Sequence, residues 1–166
     1  MEKKFIQLDD NKDVLKLWIK SKDGKETGEY LEFNLEDIEL LDTLQKMKDE
    51  TNKNYQWIKS QFVIIEKKQD FKKKNKIMSN NEEMKYNAIK QYYKKQKDIF
   101  NMFLGENGVE KLLYGRKFDW ETLEEVSNII EKQISPQLNI TMDNITNKIK
   151  NKYKMEIKTD NIEVVE

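Results

Sequence analysis

The sequence predicts a mainly α protein with a small N-terminal β-hairpin, an α+β chain of long antiparallel helices closed by a C-terminal helical subdomain. Three observations predict it. Leu15, Leu17 and Ile19 alternate with Lys16, Trp18 and Lys20, a period of two confined to the start of the chain. From Leu35 onward apolar residues recur every three or four positions, with no Gly or Pro between residues 35 and 80. Three of the five glycines then fall together in "FLGENGVEKLLYG" (103–115), between helix-forming stretches.

The hairpin comes first, over residues 1–33. After "VLKLWIK" the stretch "SKDGKETG" is turn chemistry, and "EYLEF" resumes with Leu31 and Phe33 on one face. "KFIQL" (4–8) is a candidate third strand, and the hairpin's apolar face must pack on something, because a lone hairpin is marginal in water. A long helical hairpin is expected over 34–104. Asn34 is placed to cap its first helix, with Glu36 and Asp37 in the first turn. Ile38, Leu41, Leu44, Tyr55, Ile58, Phe62 and Ile65 keep helical spacing, so one helix of roughly 40 residues, or two nearly collinear ones, would extend about 60 Å. The second helix is expected from about Asn81 to Leu104, returning antiparallel with Met84, Ala88, Tyr92, Ile99 and Phe103 inward.

The glycines punctuate a C-terminal helical subdomain over 105–152. Gly105 ends the helix carrying "IFNMFL", in the left-handed conformation that glycine tolerates. "GVEKLLYG" is a short helix with Gly115 closing it. Asp119 caps the next one, with Phe118 packing on Leu123 as a hydrophobic staple. That helix is expected to break at Ser135-Pro136, before a last amphipathic helix with Leu138, Met142, Ile145 and Ile149 inward. Residues 153–166 are expected as a flexible tail. Neither a P-loop nor a dinucleotide fingerprint is present, since the glycine order is wrong and no strand precedes it.

Composition narrows the function. Hydrophobic and charged residues each make up 37% of the chain, and mean hydropathy is -0.94. Three Trp, seven Tyr and seven Phe nevertheless argue for a folded protein of slender helices, each burying one stripe. Formal charge is zero, 31 basic against 31 acidic residues, so no global field draws nucleic acid or an anionic membrane. Arg116 is the one arginine. The absence of cysteine excludes disulfides and thiolate metal sites, and the absence of histidine removes the usual neutral-pH base. No signal peptide or membrane span is read, which makes the expected location cytoplasmic. The carboxylates of "LEDIE" and "ETLEE" single out no pair for acid–base work. The expectation is a non-enzyme with no catalytic, cofactor or metal site. Six lysines between 67 and 76 could meet a polyanion, but the reading preferred is a solvated helix end running into a loop at "SNN". The positive signal is an aromatic surplus around Phe100, Phe103, Leu112, Tyr114, Phe118 and Trp120, the candidate partner-binding residues and also candidates for the local core.

The order of a strand pair ending in "LEFNLEDIELLDTLQKM", a long charged helix and then "KDIFNMFLGENGVEKLLYGRKFDWETLEEVSNIIEKQI" resembles the small tail assembly chaperones of long-tailed phages and prophages of Gram-positive bacteria. Asp98, Phe100, Phe103, Gly105, Glu106, Gly108, Leu113 and Gly115 take the places of that family's Asp, aromatic pair and "FGEG…FG" glycines, and Arg116 follows. The likeness covers roughly residues 28–135. Asn107 between Glu106 and Gly108, and Leu-Tyr before Gly115, depart from the pattern. The resemblance implies a non-catalytic protein of the bacterial host cytoplasm that coats the tape-measure protein and helps recruit tail-tube subunits. An uncovered apolar face of this kind also favours a homo-oligomer. The rival reading is a small phage- or plasmid-encoded helical inhibitor of a host defence protein. A nucleic-acid factor working through the lysines of 67–76 ranks behind both.

Overall fold

The computed structural model describes residues 3–4 and 14–154. The third strand expected over 4–8 falls, apart from Lys4, outside the described residues, as does the tail from 155 onward.

Two strands, β1 (Val14–Lys20) and β2 (Glu26–Asn34), pair antiparallel with Leu17 opposite Leu31 and Leu15 opposite Phe33. The period-two pattern divides their faces as expected. Ile19, Leu31 and Phe33 are buried, while Trp18 and Tyr30 form a cross-strand ring pair on the outer face, 4.9 Å between centroids. The inner face lies on helices: Phe33 stacks on Phe103, 5.5 Å between ring centroids.

The first helix, α1 (Glu39–Glu66), starts later and ends earlier than the spacing predicts. Asn34 caps no helix. Its side chain accepts from the Glu36 amide, and that of Asp37 accepts from the Glu39 amide, two side-chain turns that carry the chain from strand to helix. At the other end the apolar stripe stops at buried Ile65, and the lysine run beyond it offers nothing to bury. The helix therefore has 28 residues, about 42 Å, not the 60 Å expected. Asn81 closes it by donating its side-chain amide to the carbonyls of Ile65 and Lys68. The loop that follows is tied by Asp70, whose carboxylate accepts from the amides of Phe71 and Asn81.

The return helix, α2 (Asn80–Leu104), begins with a reciprocal capping box between Ser79 and Glu82. It runs antiparallel to α1: Glu66 meets Lys85 at one end, and Thr51 meets Gln96 further along. Ala88, Tyr92, Ile99, Phe100 and Phe103 are buried along it, with Gln96 among them and fully inaccessible.

The glycine cluster builds the corner into α3 (Gly108–Leu113). Gly105 has φ +94° and ψ 178°, a region essentially reserved for glycine, and so not the left-handed helical conformation expected. A Cβ on Gly108 would lie 2.5 Å from the Cβ of Leu104, so the close approach of α3 to the end of α2 requires glycine there. The Asn101 side chain closes the corner by accepting from the Val109 amide at 2.8 Å.

From α4 (Trp120–Ile129) the helix does not break at Pro136. A π-helical turn at Ile130–Ile134 joins α4 directly to α5 (Ser135–Tyr153). The Ser135 amide bonds the Ile130 carbonyl, five residues back. Pro136 then stands at the start of α5, where a missing N–H costs little, and the residues before it, Glu131, Lys132 and Gln133, are exposed. Asp119 caps α4 as expected, in a capping box with Thr122. One core joins the inner face of the hairpin, both long helices and the line Leu123–Val126–Ile130–Ile134–Leu138.

Candidate functional site

The six aromatic and aliphatic candidates do not form one surface. Phe103 lies under the hairpin and Phe100 is 2% exposed, so both are core. Phe118 is half-buried, set edge-on to Tyr93 and Phe100. Leu112 is half-buried on α3, packed against the core, and Tyr114 is exposed at the helix end in a left-handed conformation. Trp120 alone combines exposure, 55%, with a place at a concave site.

That site is a groove. Its walls are α1, through Lys48, Asn52 and Tyr55, and the first turns of α4 with the π turn, through Trp120, Glu124 and Glu131. Its floor is α2, with Tyr92, Gln96 and Phe100. The hollow measures about 450 Å³. A second of about 280 Å³, lined by Ile58, Phe62, Ile89 and Tyr93, adjoins it and shares Tyr55, Tyr92 and Trp120. Tyr55 and Trp120, each about half exposed, stand where the two hollows meet.

A polar triad sits beneath the floor. Gln96 Nε2 donates to Thr51 Oγ1 at 2.9 Å, and its Oε1 accepts from Asn54 Nδ2 at 3.1 Å; Asn54 also donates to the Tyr92 carbonyl at 3.2 Å. Burial, helped by the negative charge of Glu124, raises the Tyr92 phenol above its ordinary value, and burial followed by Asp119 does the same for Tyr93. Both phenols stay neutral well into the alkaline range. Arg116 makes a two-pronged pair with Glu125, 3.0 and 3.1 Å, on the outer side of α4. Glu124 and Glu131, which line the groove, enter no ion pair among the described residues.

The sequence pattern placed Tyr55 in the inner stripe of α1 and passed over Gln96, because a glutamine in an apolar register reads as a gap. The steps 92, 96, 99 and 103 would have found it. The lysines of 67–76 are all exposed, in the loop between α1 and α2. Among the described residues no group of three or more acidic side chains is placed to hold a metal ion, and no helix is long and apolar enough to cross a membrane. No family model, no curated protein and no solved structure matches the chain.

Proposed function

We propose that this protein is a non-catalytic assembly chaperone of a long-tailed phage, holding a helical segment of the tape-measure protein in the α1–α2–α4 groove and aiding addition of tail-tube subunits. The observation that carries the reading is the pair of adjoining hollows, the smaller lined by aromatic and aliphatic side chains and the larger rimmed by polar ones, with Tyr55 and Trp120 at their junction. An amphipathic helix presents large side chains at i, i+3/i+4 and i+7, and neighbouring hollows along a groove are what such a stripe fills. Each large aliphatic side chain moved from water into a hollow contributes about 1.5–3 kcal/mol. The family resemblance over residues 28–135 supports the identity of the client, since a tape-measure protein is a long helical, apolar chain.

The test is co-expression with the tape-measure and tail-tube proteins of the same genome, followed by a pull-down at micromolar concentration. Retention of the tape-measure protein is expected, and Trp120→Glu should reduce it at least tenfold. Trp120 is the exposed first residue of α4, where an acid suits the helix end, so the variant keeps its fold. Retention of neither tail protein, with capture of a host defence protein instead, replaces the chaperone by the inhibitor.

A further inference from the structure

The chain carries its own candidate occupant for this groove. Met142, Ile149 and Tyr153 follow one another on one side of α5 at spacings of seven and four, and are 37%, 49% and 64% exposed. The stripe continues the buried line through Leu138: Met142, with Ile145, borders a small cleft against Leu35, Ile38 and Leu41 of the same chain, Lys148 pairs with Glu36 beside it, and Ile149 and Tyr153 extend beyond that packing. Lys150 and Lys152 flank it and enter no ion pair among the described residues. The groove offers the complement: an aromatic junction and, along the α4 wall, the unpaired carboxylates of Glu124 and Glu131, spaced seven residues apart. The lengths agree, since residues 142–153 and the wall 120–131 each extend about 18 Å.

Within one chain the two cannot meet. Both lie on a continuous helix from Trp120 to Tyr153, and Met142 stands about 33 Å along the axis from Trp120. We infer that the distal half of α5 from a second copy of this chain occupies the α1–α2–α4 groove in the free protein, and that the client must displace it. The inference rests on the groove being the client site. A contact between two different patches is heterologous, so copies join head to tail, or in a pair by reciprocal exchange. Self-association then covers the groove until a client arrives, which keeps the aromatic face from indiscriminate binding.

The experiment uses full-length protein in sedimentation velocity from 1 to 100 µM. Wild type should associate. Ile149→Glu, which damages the stripe, and Trp120→Glu, which damages the groove, should each require at least tenfold higher concentration to do so. Tyr153→Glu, on the most exposed position of the stripe, repeats the first test should Ile149→Glu misfold. The mixture decides: the Trp120→Glu chain keeps an intact stripe, the Ile149→Glu chain an intact groove, so the two together should form a 1:1 complex that neither forms alone. A monomeric wild type at 100 µM, undiminished association of Ile149→Glu and Tyr153→Glu, or a mixture that stays monomeric overturns the inference. The client pull-down separates this from the function itself. Ile149→Glu should retain the tape-measure protein more strongly than wild type; equal retention leaves the chaperone standing and removes the competition, and loss of retention in every variant and wild type removes both.

Discussion

Replacing Gln96 tests whether the polar triad or plain apolar contact holds α1 and α2 in register. Gln96 is fully buried and makes two side-chain hydrogen bonds across the helix pair, to Thr51 and Asn54. Gln96→Ala removes both, at about 1 kcal/mol each net. The space left by the lost side chain adds about 1 kcal/mol. Asn54 retains the Tyr92 carbonyl, and the Thr51 hydroxyl is free to turn to its own helix, so neither adds a full desolvation penalty. The total is about 3 kcal/mol, or a fall in Tm of about 6–12 °C for a chain of this size. Gln96→Met fills the space without the bonds, and its cost should be about 2 kcal/mol. Urea denaturation followed by circular dichroism at 222 nm measures both. An alanine variant that loses less than about 1 kcal/mol would refute the reasoning, because it would mean that the triad is neither as buried nor as bonded as its distances require.

The glycine corner yields a second prediction: Gly105→Ala should cost about 1–3 kcal/mol through its backbone conformation alone, nothing lying within 4 Å of the added methyl. Gly108→Ala should cost a similar amount by overpacking against Leu104, and Leu104→Ala should relieve it only partly, since that substitution keeps the clashing Cβ. A melting temperature unchanged in both single variants contradicts the corner as described. The third prediction concerns acid. Hydrogen bonds from Thr122 hold the Asp119 carboxyl below its ordinary 3.8, and those from Ser79 and then Asn81 do the same for Asp70. The unfolded chain therefore binds these protons first as pH falls, so stability is full above about 3.8 and declines below it. Asp119→Asn keeps a cap but does not titrate there, and should flatten part of that decline in urea midpoints taken from pH 5 to 2.5.

Where faces differ sharply in chemistry, the residues could be read directly. Lysines alternating with Leu15, Leu17 and Ile19 leave one side of the hairpin able to enter a core, and Asp119 with Thr122 three residues on is a local cap that needs no tertiary help. Local rules misled at Asn34, a good cap that closes a turn instead because Leu35 is drawn toward the core before the helix begins. The groove was legible only in part. Trp120 was a candidate, but Tyr55 was not, because its exposure depends on the distance between α1 and α4, which no periodicity carries. Phe103 illustrates the converse: its stacking on Phe33 is a contact across seventy residues of chain.

Pro136 shows how one local accommodation decides what the distal helix is able to touch. Apolar positions around it fall at 126, 130, 134 and 138, three successive steps of four. On a regular helix of 3.6 residues per turn each such step turns the stripe about 40° further round, and by Leu138 it would have left the core. A π turn takes up the surplus, so Ile130, Ile134 and Leu138 all stay buried, and its wider ladder also accommodates the proline ring. Had the chain broken at Ser135 instead, a short link would have let α5 fold back along α4 and cover its own groove. The unbroken helix forbids that. It carries Ile149 and Tyr153 away from the groove of their own chain, leaving them to water or to another molecule, and makes covering the aromatic junction dependent on concentration.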